Sequence, residues 1–218
     1  MELHQIETYL DSPNPQNRMK AITELRHYEP VLVVPLLKRR MYDQEFLIRS
    51  FVAMGLGAQQ TDEAFELLVD LIEYDKDYNV RAEAANSLAK YGERAIPHLV
   101  QLFQQDSHWL VRQSILAALE GKKYPEILFK LCLIGLRGDN SVVQQAAIAN
   151  LGQLAQTSQA SSALELLLSE VNSADGIIRA QVTLVLRQFN DPKAQNALLK
   201  LRTDSDYRVV AAILEGLV

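Results

Sequence analysis

Residues 77–92 read DYNVRAEAANSLAKYG and residues 106–119 read DSHWLVRQSILAAL. In each, an acid opens the stretch, an apolar residue (Val80, Val111) precedes an arginine (Arg81, Arg112), and a leucine (Leu88, Leu119) stands seven places beyond it. The register extends in both directions, with anchors at Arg18, Arg49, Arg81, Arg112, Gln144, Arg179 and Val210, at intervals of 31, 32, 31, 32, 35 and 31 residues. The seventh residue after each anchor is Leu25, Leu56, Leu88, Leu119, Leu151, Leu186 and Leu217. The residue three after it is Ala21, Val52, Ala84, Ile115, Ala147, Val182 and Ile213. Positions four apart make one helical stripe, and a small residue in its middle lets neighbouring helices approach closely.

A second helical pattern follows a short break in each repeat. Tyr91-Gly92-Glu93 interrupts one repeat before Ile96, Leu99, Leu102 and Phe103; Asn190-Asp191-Pro192 interrupts another before Ala194, Ala197, Leu198 and Leu201. A helical pair of about 31 residues cannot bury its apolar face alone, so the pairs must stack. The expected fold is therefore all-α, an α-solenoid of about seven helix pairs with 13–14 helices, read as one domain over 1–218. Glu2–Leu10 reads as an unpaired second helix, and the longest repeat is expected to place its extra residues in the polar stretch Gln156–Ser162.

Acids cluster just before the anchors: Asp43, Asp75, Asp106 and Asp204 six before, and Glu45, Asp77, Asp175 and Asp206 four before, with Asn140 also four before. Such residues start helices. An arginine in a first turn faces the dipole unfavourably, so its recurrence calls for an acidic or carbonyl partner and predicts an Asp/Arg ladder from layer to layer.

Composition agrees and excludes other classes. The chain has 218 residues, 48% apolar and 22% charged, with nine Gly, seven Pro and one Trp, too few turn residues for an all-β fold. The single cysteine, Cys132, leaves no internal disulfide or CxxC pair. No run approaches 18 apolar residues, and MELHQIETYL (1–10) carries an acid where a signal peptide carries bases, so a cytoplasmic protein without membrane insertion is expected. A net charge of −5 with scattered bases argues against nucleic acid.

With this register, DYNVRAEAANSLAKYG and DSHWLVRQSILAAL resemble HEAT repeats, and more narrowly the short HEAT-like repeats of the phycobilisome lyase family, which includes E- and F-type bilin lyase subunits and lyase-like relatives in cyanobacteria. The resemblance covers nearly the whole chain and consists of structural positions. It implies a right-handed superhelix and a role around phycobilisomes or photosynthetic complexes. It carries no catalytic residue across.

Chemistry is sparse in the residues themselves. P-loop, GxGxxG, HExxH and GxSxG motifs are absent, and no metal site or catalytic residue is assigned. His98 and His108 flank Asp106 in sequence but read as surface histidines, and Cys132, among Leu131, Leu133 and Ile134, reads as core. Phe46, Tyr78, Trp109 and Tyr207 all stand three before an anchor, as cover for the turn between layers or as an edge for stacking; Trp109, beside His108, is the first choice for recognition. From Asp62 to Glu83 there are eight acids and two bases, a balance of −6. Second helices commonly line the concave side of a solenoid, so Glu66, Asp70 and Glu73 are expected to make part of it acidic.

The leading expectation is a non-catalytic protein-interaction scaffold or assembly adapter, with another protein on the concave face, a phycobiliprotein or lyase partner subunit by the resemblance. Its partner-binding residues are Trp109, His108, His98, Glu66, Asp70 and Glu73, and it needs no cofactor. The alternative is a bilin (phycocyanobilin) lyase or chromophore-handling subunit, whose ligand would be a bilin.

Overall fold

The computed structural model describes residues 1–119 and 123–215, so Leu217 and Lys122 lie outside the described residues. Fourteen α-helices run through the described residues, which fall into two compact units, Met1–Ala118 and Leu119–Val218. The first unit holds α1 (Leu3–Leu10), α2 (Pro15–Glu24), α3 (Pro30–Lys38), α4 (Phe46–Gln59), α5 (Asp62–Tyr74), α6 (Tyr78–Ala89), α7 (Ile96–Gln105) and α8 (Trp109–Ala118). The second holds α9 (Pro125–Arg137), α10 (Ser141–Gln153), α11 (Ala160–Ser169), α12 (Gly176–Leu186), α13 (Pro192–Leu201) and α14 (Tyr207–Leu214). In the first unit α2, α4, α6 and α8 pack successively as one layer, while α3, α5 and α7 pack as the other; in the second unit α10, α12 and α14 make one layer and α9, α11 and α13 the other. The fold class is that of an α-solenoid built from helix pairs.

The leucine stripe is the reason the pairs stack. Leu25, Leu56, Leu88, Leu119, Leu151 and Leu186 are all buried, as are Ala21, Val52, Ala84, Ile115, Ala147 and Val182. Close approach is extreme between α4 and α6, where a Cβ on Gly57 would lie 2.6 Å from Cβ of Ser87. Gly92, at a φ of 67°, allows the chain to leave α6 through a left-handed turn into the 3-10 segment before α7. Pro97 then occupies the first turn of α7, where no helical N–H is lost.

The ladder is present at four of the five anchor arginines, and its wiring there is uniform; Arg112 donates through Nε to the Asp106 carbonyl six before it, and Gly138 stands where the acid of its rung would be. Arg18 reaches Asp43 at 2.8 Å, Arg49 reaches Asp75 at 2.6 Å, and Arg81 reaches Asp106 at 2.6 Å. In the second unit Arg179 reaches Asp204 at 2.7 Å. Each arginine thus pairs with the acid six before the next anchor, while another guanidinium nitrogen donates to the carbonyl six before its own: Ser12 for Arg18, Asp43 for Arg49, Asp75 for Arg81 and Ser173 for Arg179. The acid also accepts the backbone N–H two residues on, from Glu45, Asp77, His108 and Asp206 respectively. One rung therefore ties two layers and a turn together.

The residues four before the anchors cap the helices. Asn14, Asp77, Asn140, Asp175 and Asp206 accept the N–H two places on; Glu45, one methylene longer than aspartate, makes no such cap bond. Gln144 keeps half of the arginine's work, donating to the Gly138 carbonyl at 2.7 Å. Its missing acid matches a missing acid in the next repeat, where the equivalent position is Ser173. Gln144→Arg alone should therefore leave stability within about 0.5 kcal/mol of the parent or lower it, since the guanidinium finds no carboxylate. Combined with Ser173→Asp it should show a coupling of about 1 kcal/mol in a double-mutant cycle read by urea unfolding.

One local expectation is corrected. The extra residues of the longest repeat do not form a loop over Gln156–Ser162, because α11 already begins at Ala160. They still lie between the two helices of the repeat, in the 3-10 turn and short link of 154–159: α11 begins 16 residues after Gln144, where the other second helices begin 12–15 after their anchors, and it starts 19 residues before the next anchor, as α3, α5 and α9 do. Alanine and serine in that stretch fit a helix start as well as a loop, so polarity alone was misleading.

Candidate partner-binding site

Helix α5 buries Phe65, Leu68, Leu71 and Ile72, and this rotation leaves Glu66, Asp70 and Glu73 exposed on one stripe. The two acids at its N-terminus are neutralised, Asp62 by Arg94 at 2.5 Å and Glu63 by Lys38 at 3.0 Å. Among the described residues Glu66, Asp70 and Glu73 make no ion pair, so the uncompensated charge concentrates on this stripe. Its effect on a neighbour is visible: the hydrogen bond and charge of Glu73, with the charge of Asp70, push the Tyr74 phenol above its usual range.

His98 lies on α7 beside that stripe. Its ring meets Phe65 edge-on at 5.6 Å, in a cluster where Tyr91 also packs on Phe65 and the Arg94 guanidinium sits 4.3 Å from the Phe65 ring. The other side of His98 lines a cleft of about 510 Å³ with Glu73, Tyr74, Gln101, Gln105 and Ser107, over the Arg81–Asp106 rung. The structure thus brings Glu73 and His98 into one cleft. Asp70 lines a neighbouring cleft of about 290 Å³, with Tyr74 again as a wall.

His108 and Trp109 belong to a different place, the N-terminal edge of α8. His108 caps that helix, its Nδ1 accepting the Leu110 N–H at 3.2 Å, and its ring stacks on Tyr78 with centroids 3.7 Å apart and planes within 10°. Trp109 follows at 5.8 Å from the same ring and stays partly exposed, as do Phe46 and Tyr78 at the same repeat position. The edge of aromatics is real, and part of it is used by the fold itself. His108 and His98 therefore have separate roles and separate surroundings.

Tyr74, Tyr42, Gln101 and Gln105 had not been singled out. Both tyrosines stand seven before an anchor and are strongly exposed. That shared register was the available signal. Among the described residues no cluster of three or more His, Cys, Asp or Glu is placed to hold a metal ion. Cys132 is buried, and burial pushes its thiol up to about 12, so it stays protonated and is no nucleophile at neutral pH. Among the described residues no helix is long and apolar enough to cross a membrane. What the arrangement offers is a polar, anionic surface with aromatic walls, suited to holding side chains.

The family model of HEAT repeats matches residues 34–120 and 130–218. No curated protein matches the sequence. Among solved structures the chain is similar to Escherichia coli YibA, with 18% identity and a TM-score of 0.67 over 97% of this chain and 80% of that one. It is also similar to the complex of CpcE and CpcF of phycocyanin lyase from Nostoc sp. PCC7120, with 20% identity and a TM-score of 0.53 over 100% of this chain and 95% of that one. At these identities the likeness is one of fold.

Proposed function

We infer, since the chain belongs to the HEAT-repeat family, that residues 1–218 act as one repeat domain, a non-catalytic cytoplasmic scaffold that holds a partner protein on its second-helix side. The α5 stripe carries this reading: Glu66, Asp70 and Glu73 are exposed carboxylates with no ion pair among the described residues, beside Asp62 and Glu63, which are paired. Such a field speeds encounter with a basic protein surface and repels the phosphates of nucleic acid. The fold shared with the CpcE and CpcF complex supports placing the partner in phycobilisome assembly or turnover, as a phycobiliprotein or a lyase partner subunit. Replacing Glu66, Asp70 and Glu73 together by lysine should reduce capture of the partner at least tenfold in a quantitative pull-down. Equal capture by parent and variant, or tight binding of duplex DNA at low salt by the parent, would contradict the reading.

A second reading has its own support. The 510 Å³ cleft, with Tyr74, His98 and two glutamines in its walls, offers room and polar groups for part of a bilin, which fits a lyase-like, chromophore-handling subunit. Mixing the protein with phycocyanobilin and an apo-phycobiliprotein separates the two readings. Spectral change or chromophore transfer favours the second, and neither is expected of a scaffold.

A further inference from the structure

The two clefts beside α5 are one feature repeated a layer apart. The smaller lies between the α3 and α5 repeats over the Arg49–Asp75 rung, with Tyr42, Asp70 and Tyr74 among its walls. The larger lies between α5 and α7 over the Arg81–Asp106 rung, with Tyr74, Glu73 and His98 among its walls. Tyr74, 74% exposed, is the partition they share, and Tyr42, 85% exposed, repeats it at the far side of the smaller cleft.

The charges sort in a definite way. The floor acids Asp75 and Asp106 are engaged by the ladder arginines, and Asp43, which reaches the smaller cleft, is engaged by Arg18. Each cleft keeps one carboxylate outside the ladder, Asp70 in the smaller and Glu73 in the larger. The last turns of α5 and α7, at Leu71, Tyr74, Leu102 and Gln105, end at these clefts and add the partial negative charge of helix C-termini. Lys76 stands on the rim of the smaller cleft and weakens it. The larger has no base outside the ladder except His98 and is the stronger site for a cation.

We propose that the paired clefts dock an extended basic segment of the partner protein, which sets two arginine side chains on opposite faces of Tyr74. This deepens the scaffold reading and rests on it. A guanidinium is planar and weakly hydrated, stacks on an aromatic face and pairs with a carboxylate in its plane, which is what each cleft presents. The spacing fits a chain in the polyproline-II conformation: packed helices lie roughly 8–10 Å apart, and such a chain advances about 3.1 Å per residue with about three residues per turn, so side chains three apart project from one side. Arginines three residues apart therefore meet successive clefts.

The probe is a fluorescein-labelled peptide, Gly-Ser-Arg-Gly-Ser-Arg-Gly-Ser, titrated with the full chain and followed by anisotropy at two salt concentrations. It should bind at least tenfold more tightly than the same peptide with one arginine replaced by glutamine. Tyr74→Ala should weaken it about tenfold and Glu73→Gln about fivefold, with Asp70→Asn smaller and Glu7→Gln, an exposed acid on α1 outside the α5 stripe and both clefts, without effect. All four positions are exposed, and circular dichroism confirms that each variant is folded. Absence of saturable binding, or equal weakening by Glu7→Gln and Tyr74→Ala, overturns the proposal. If the peptide result fails while lysine at Glu66, Asp70 and Glu73 still abolishes partner capture, the cleft assignment falls and the scaffold reading stands; if neither responds, both fall.

Discussion

Leu88→Ala should lower the unfolding free energy by about 2–5 kcal/mol, read from urea denaturation by circular dichroism. Leu88 is fully buried on α6, which packs between α4 and α8, so truncation removes apolar contacts and leaves a cavity between layers that are already in close contact. The stacked arrangement makes the cost depend on position along the chain. Leu214→Ala, on α14 where the side chain is 55% exposed, should cost less than about 1 kcal/mol. Equal losses at the two leucines would contradict a core made of successive layers.

Asp75→Ala should lower stability by about 2 kcal/mol, between the small value of an exposed pair and the larger loss when a buried pair is broken. Its carboxylate is nearly buried, receives Arg49 through two nitrogens at 2.6 and 2.9 Å, and accepts the Asp77 N–H at 2.9 Å. Removing it leaves the Arg49 guanidinium with only carbonyl partners and unties the turn that begins α6. A cycle with Arg49→Ala measures the coupling; no coupling would show that the ladder is ornamental to stability.

The ladder also sets a dependence on pH. The hydrogen bond from Arg179 holds Asp204 below the usual carboxylate range, and that from Arg208 holds Asp206 at about 2. Lowered folded values favour the folded state above the unfolded value, near 4 for aspartate. That contribution is fully present at neutral pH and is lost as the pH falls from about 4 toward 2. Urea midpoints should fall over that window, less steeply in Asp204→Asn.

The repeat was legible because a leucine at a constant offset is a one-dimensional signal that each layer imposes on its own sequence. The arginines' need for partners was legible too, from the unfavourable dipole they face. Which acid each would choose was not, because the positions six and four before the anchor are equally acidic in composition. Only the stacked geometry sends Arg49 to Asp75 and leaves Asp77 to cap α6. At the candidate site the exposed face of α5 followed from helical spacing at Glu66, Asp70 and Glu73. His108 caps α8 through Nδ1, a role that aspartate fills in other repeats, and spacing alone does not show that an imidazole takes it. The clefts were hidden because their walls come from residues about 30 apart in sequence, Tyr42, Tyr74 and Gln105, which meet only when layers stack.

The proposed position of the partner is the second-helix side, beside the α5 acids. A photo-crosslinking amino acid placed in turn at Gln101 and Gln104 on α7, and at Met54 on α4 and Ala117 on α8, tests it most directly, since all four positions are exposed and they divide between the two helix layers. An adduct with the same protein is expected from Gln101 and Gln104 and none from Met54 or Ala117, with loss of the adduct when Glu66, Asp70 and Glu73 are replaced by lysine. Adducts from Met54 and Ala117, or adducts that survive the charge reversal, would contradict it.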